Sequence, residues 1–168
     1  MADILERAAC ASVAGTERVL IIGAGDEQHH DDGVGHAVVR RLYQDAAPSA
    51  APLVVSTGER VDTLRERWRH ADLVIFVAAA RNDPAHPGRI HLLTTDLPIS
   101  RDPGDRGGQL IRELAGTPRR VTVYAVEGAN FTPGTGITRR VSAAVDTLVE
   151  HIEHEIIDSA ADTGQKAS

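Results

Sequence analysis

The chain has 168 residues and a mass of 17.9 kDa, which supports one domain with a real core. Its 18 Lys and Arg against 24 Asp and Glu give a net charge of −6, which argues against the basic face of a general nucleic-acid binder. Aromatic residues make up 3%, too few for base-stacking platforms, and no apolar run approaches the roughly 20 residues that span a bilayer.

The beginning of the chain carries Asp3, Glu6 and Arg7 without a continuous apolar stretch, unlike a secretory signal. The lone Cys10 closes no internal disulfide and builds no cysteine-based zinc cage. The expected address is a reducing cytoplasm, with no membrane and no nucleic-acid partner.

Residues 1–17 are Ala-rich and weakly patterned, and read as an N-terminal extension to a domain at 18–157. The apolar run at 18–22 predicts a strand buried on both faces, ended by Gly23-Ala24-Gly25. After a polar loop, Val34, Val38 and Leu42 repeat every four residues and predict a helix over 33–46. Asp31 and Asp32 precede it, where carboxylates accept the first free amides and meet the positive dipole end. A short strand follows at 53–56, then a helix at 61–69 with Val61, Leu64 and Trp68 on one face. The strongest strand is 73–80. A Pro- and Gly-containing loop at 82–88 leads to a strand at 89–93, expected antiparallel to its predecessor. A loop at 98–108, a short helix at 109–114, a strand at 120–126 and a loop at 128–136 come next. The last helix, 138–157, has the stripe Val141, Val145, Leu148, Ile152 and Ile156. Residues 158–168 are small and polar and predict a disordered tail.

Strands alternating with helices predict a single-domain α/β sandwich: about five strands in a mostly parallel twisted sheet, helices on both faces. Ligands of such sheets sit beyond the carboxyl ends of the strands. Loops 23–32, 79–88 and the approach to Gly108 are expected to converge there.

Gly23-Ala24-Gly25 invites a dinucleotide reading, but the third glycine would fall at Gln28. Asp26, Glu27, Asp31 and Asp32 would also repel a pyrophosphate. The most informative stretch is Asp31-Asp32-Gly33-Val34-Gly35. Its carboxylates suit helix capping, or a metal or catalytic role in which His29, His30 and His36 add nitrogen donors fit for zinc or nickel. Asp83, His86 and His91 form a second group, and Glu59 after Gly58 faces either the same cleft or its own helix start. His151 and His154 lie among Glu150, Glu153 and Glu155 and read as a solvated face. Neither G-x-S-x-G nor H-E-x-x-H occurs.

The stretch RVLIIGAGDEQHHDDGVGHAVVRRL resembles the opening of the nickel-iron hydrogenase maturation proteases. That family has a strand, a Gly-x-Gly-Asn turn and Asp-Asp/Glu-Gly-x-Gly leading into a helix; here Asp26 replaces the Asn. The turn Ser56–Glu59, strand 71–77, the step Pro87-Gly88-Arg89-Ile90 and strand 121–126 with Glu127-Gly128 extend the resemblance over about 18–157. It implies removal of a C-terminal extension from a hydrogenase large-subunit precursor, or action on a similar protein C-terminus, once nickel has been inserted. Three metal contacts are implied. The first falls on Asp32, the second on Ala78 or Ala79, and the third near Gly107-Gly108, where no His is present.

Two roles then stand open. In one, proteolysis persists, with His29, His30, Glu59, Asp83 or His86 as substitute ligands for nickel or another divalent metal. In the other, the chain is a non-catalytic, precursor-binding maturation chaperone. In the enzymatic role Asp32 and Asp31 form the catalytic element, Asp31 capping and orienting the helix start. Gly23, Gly25, Asp26, Gly33, Gly35 and Gly58 let the substrate tail approach the backbone.

Overall fold

The computed structural model describes residues 19–45, 53–56, 68, 70–94 and 120–165. The expectations for 1–17 with Cys10, for Gly58 and Glu59, for most of the 61–69 helix and for 98–114 lie outside the described residues.

The order is β1 (Val19–Gly23), a 3-10 turn (His30–Gly33), α1 (Val34–Asp45), β2 (Leu53–Ser56), β3 (Leu73–Ala80), β4 (Ile90–Thr94), β5 (Arg120–Glu127) and α2 (Arg139–Gln165). The five strands form one sheet in the order β2-β1-β3-β5-β4. Pairs β1/β2, β1/β3 and β3/β5 are parallel, and β4/β5 is antiparallel. The sequence suggested that β4 pairs with β3. Instead the chain leaves one strand position vacant, and β5 enters it later between the two.

The central strands are apolar on both faces because both are covered. On one face Ile21, Ile75, Val77 and Val126 meet Val34, Val38 and Leu42 of α1 and Val141, Val145, Leu148 and Ile152 of α2. Each such side chain contributes about 1.5–3 kcal/mol by leaving water. On the other face Leu20, Ile22, Val74, Phe76 and Val121 pack with Trp68 and Ala71. The stripes read from the sequence for α1 and α2 are the ones buried here, Ile156 being partly buried at the margin.

Helix α2 runs on to Gln165, past the boundary expected at 157. The polar composition that suggested a loose tail holds no proline, and its first glycine is Gly164. Ala160 and Ala161 favour helix, and Ser159 is buried.

Helix α1 is pressed unusually hard onto the sheet. A Cβ on Gly35 would lie 2.5 Å from the Ala24 carbonyl oxygen and 2.6 Å from that of Val77. A Cβ on Gly23 would lie 2.3 Å from the Gly35 oxygen. These two glycines meet the protein's own backbone, not a cleft, so the substrate-facing role expected for them gives way to packing. Gly35→Ala is therefore expected to destabilise the fold by about 1–3 kcal/mol through overpacking, read as a lower urea midpoint at unchanged slope.

Candidate functional site

The four parallel strands bring their carboxyl ends to one edge, and antiparallel β4 starts there. Segments 24–32, 81–89 and 128–138 consequently meet beyond the sheet. Backbone bonds knit them together. The His30 and Asp31 amides donate to the Gly134 and Asn130 carbonyls at 2.9 Å each, and the Gly134 amide donates to Gln28 at 2.8 Å. The Gly128 amide donates to Ala80 at 3.1 Å, and Gly88 to Glu127 at 2.8 Å. Loops 23–32 and 79–88 converge as the sequence suggested. The third described participant is 128–138, which the sequence marked only as a loop; the approach to Gly108 lies outside the described residues.

Asp31 is fully buried. Its Oδ2 accepts the Ala129 and Asn130 amides at 2.8 and 2.9 Å and the Thr138 hydroxyl at 3.0 Å. Its Oδ1 accepts the Thr138 amide at 2.6 Å. Burial alone would raise its pKa, but the bonds from Thr138, Ala129 and Asn130 outweigh it and hold the carboxyl below its ordinary value. The sequence placed Asp31 in the catalytic element and as the cap of the helix that follows it. Its carboxylate instead anchors the loop before α2, about a hundred residues on, and is saturated by donors. It positions the site and is not exposed to a substrate.

Asp32 is half-buried. Its Oδ2 accepts the Asp26 amide at 3.0 Å, and its other oxygen keeps open acceptor positions. The turn is shaped around it: Gly25 has φ +128°, and a Cβ there would lie 1.8 Å from the Asp32 carbonyl oxygen. Gly33 faces Glu27, whose Cα would lie 3.1 Å from an added Cβ. Gly25 and Gly33, too, are used internally rather than against a substrate.

The neighbouring histidines are committed to the loop. His29 Nδ1 pairs with Asp26 Oδ2 at 2.9 Å, while Asp26 Oδ1 accepts the Gln28 amide at 2.9 Å. His30, at φ +47°, donates from Nδ1 to the Gly136 carbonyl at 2.9 Å. His36 donates from Nε2 to the Gly25 carbonyl at 3.1 Å. Among the described residues no group of three His, Cys, Asp or Glu side chains could hold a metal ion. Ala78 and Ala79 each offer only a methyl group. His29, His30, Asp83 and His86 therefore do not assemble as substitute ligands, and a resident ion does not fit the described donors.

A second centre lies at the end of β5, where the sequence marked Glu127 only as part of a turn. Glu127 is 1% exposed. Its Oε2 accepts the His86 amide at 2.6 Å, with His86 Nδ1 at 3.8 Å, and its Oε1 accepts His91 Nε2–H at 2.6 Å. The His86 amide first, then His91, against the opposing effect of burial and with help from Asn82, bring its pKa down from 4.5 to about 2. The available signal was a carboxylate closing an otherwise apolar strand, a placement that demands partners.

Both buried carboxylates have lowered pKa values, so their contribution to stability is complete above the ordinary carboxylate range. It is lost as pH falls, for Glu127 between about 4.5 and 2. Asp31→Asn and Glu127→Gln are expected to lower the urea midpoint near neutral pH, with the gap to wild type narrowing below about pH 4. For Asp31→Asn the neutral-pH loss is about 1–3 kcal/mol, the cost of a buried donor left unmatched.

No family sequence profile and no curated protein sequence matches the chain. Solved structures do. The hydrogenase-maturating endopeptidase HybD from E. coli superposes with a TM-score of 0.71 at 20% identity, over 84% of this chain and 93% of that one. The [NiFe] hydrogenase maturation protease HybD from Thermococcus kodakarensis gives 0.64 at 17% identity, over 83% and 99%. The hydrogenase 2 maturation peptidase from Thaumarchaeota archaeon SCGC_AB-539-E09 gives 0.61 at 21%, over 83% and 98%. At such identities the likeness is one of fold, and the chain has the fold of the hydrogenase maturation endopeptidases.

Proposed function

We propose that this chain is a maturation endopeptidase that removes the C-terminal extension of a nickel-iron hydrogenase large-subunit precursor in the cytoplasm. The observation that carries the reading is Asp32. It is a half-buried acid with open acceptor positions at the first strand–helix crossover, in a fold that covers nearly the whole length of the similar proteases. No described helix is long and apolar enough to cross a membrane, in keeping with a precursor met in solution.

In this reading the precursor's tail lies across the carboxyl-terminal edge of the sheet. Asp32 is the acid that meets the cationic centre carried by the precursor, since nickel is cargo of the substrate. Asp31 keeps the crossover and the 128–138 loop in register, so the position of Asp32 is set before the precursor arrives. With Ala78 or Ala79 where the resemblance implies a second acid, the metal is assigned no step in bond cleavage.

The test is incubation of the full chain with a nickel-loaded large-subunit precursor, followed by intact-mass analysis. The expected result is a mass loss equal to the extension. Asp32→Ala is expected to abolish it while costing only about 0.5–1.5 kcal/mol of stability, the worth of one hydrogen bond. Stable association with no mass loss would replace the protease reading with a precursor-binding role.

A further inference from the structure

The donor set around Asp32 leaves the chemistry of cleavage unassigned, and a second group of titratable side chains stands at the same sheet edge. Val126 and Ile90 belong to the α1/α2 face. Strand alternation therefore puts Glu127, Ala125 and His91 on the opposite face. Ala78 packs against the cluster on that same face. The register aligns Ala78 with Ala125, and Ala125 with His91, in one row across β3, β5 and β4. Adjacent strands lie about 4.8 Å apart, so the His91 backbone stands roughly 10 Å from that of Ala78. Ala24, where the loop toward Asp32 begins, donates its amide to the Val77 carbonyl at 2.8 Å, next to this row. Ala78 and Ala125 have only methyl side chains and are half-buried, whereas Phe76 one step below Ala78 is fully covered.

His91 is held as a base is held. Its Nε2 lies 2.6 Å from Glu127 Oε1, and an ionised carboxylate accepts only, so Nε2 carries a proton and, in the neutral imidazole, Nδ1 holds the lone pair. No described residue hydrogen-bonds Nδ1, and the imidazole is 37% exposed against 1% for its carboxylate. Among the described residues, the charged and titratable groups facing Glu127 are His91 and, through its amide and the more distant ring, His86. We propose that His91 is the general base of the cleavage step and that Glu127 is the positioning carboxylate behind it. The inference rests on the endopeptidase reading.

The step balances with water as the co-reactant. Nδ1 takes a proton from water as its oxygen bonds to the scissile carbonyl carbon. The imidazolium returns that proton to the amide nitrogen as the C–N bond breaks, releasing an amine and a carboxyl terminus. Glu127 stays ionised throughout and stabilises the imidazolium.

The experiment uses the full chain, the nickel-loaded precursor and the variants His91→Gln and Glu127→Gln. Gln at 91 retains an N–H for Glu127 but no base. It is expected to slow single-turnover processing by at least about 100-fold while leaving precursor association unchanged. Glu127→Gln is expected to slow processing and to displace the acid limb of the pH–rate profile. Nitrogen NMR of the wild-type imidazoles supplies a readout that needs no precursor: His91 is expected as the Nε2–H form. An Nδ1–H form overturns the proposal. Processing by His91→Gln at the wild-type rate overturns the base and leaves the endopeptidase reading standing. A wild-type chain that associates without cutting overturns both.

Discussion

The site depends on burying one charge. A carboxylate removed from water is tolerated only when its lone pairs are filled, and Asp31 is filled by the amides of Ala129, Asn130 and Thr138 and the Thr138 hydroxyl. Those donors come from the loop after β5 and the residue preceding α2. One side chain thereby fixes the β1 crossover, the β5 loop and the start of α2 relative to one another. The 3-10 geometry of His30–Gly33 does the rest, because successive residues turn by about 120°. If one acid of the pair points inward, the next cannot. Asp31 goes to the interior, and Asp32 is left at the margin with acceptor positions to spare.

The two buried carboxylates at this edge differ in what satisfies them. Asp31 is held by backbone amides and one hydroxyl, groups that do not ionise near neutral pH. Glu127 is held by an amide and an imidazole, and the imidazole is partly open to solvent. The first arrangement is scaffolding. The second can bias a proton: a carboxylate kept ionised stabilises a neighbouring imidazolium and fixes the tautomer. Burial is thus common to both, and the chemical nature of the donor separates their roles.

Local pattern carried much of the fold. The apolar runs of β1 and β3 and the four-residue stripes of α1 and α2 are consequences of burial, so they could be read directly. What depends on distant partners could not. Nothing near Asp31 announces that its acceptors are matched by residues 98 to 107 positions away. The same holds for β4, whose neighbour is decided by a strand that enters the sheet later. The glycines of the first motif looked like openings for a substrate, because a missing side chain looks the same whether it admits a ligand or the chain's own backbone. At Gly23 and Gly35 it is the backbone.

A shared fold fixes where a ligand can be received, because the parallel strands, the crossover and the converging loops come with it. It leaves open which side chains act there. Ala78 and Ala125 keep full register with their neighbours while presenting only methyl groups to the row. Two strands along the same row, His91 lies on a carboxylate that could not be buried without it and its amide partner from His86. Retaining Glu127 in the sheet therefore requires donors at that spot, and the donors present include an imidazole. The same requirement for burying a charge that builds the scaffold at Asp31 would, at the other end of the edge, set a base in place.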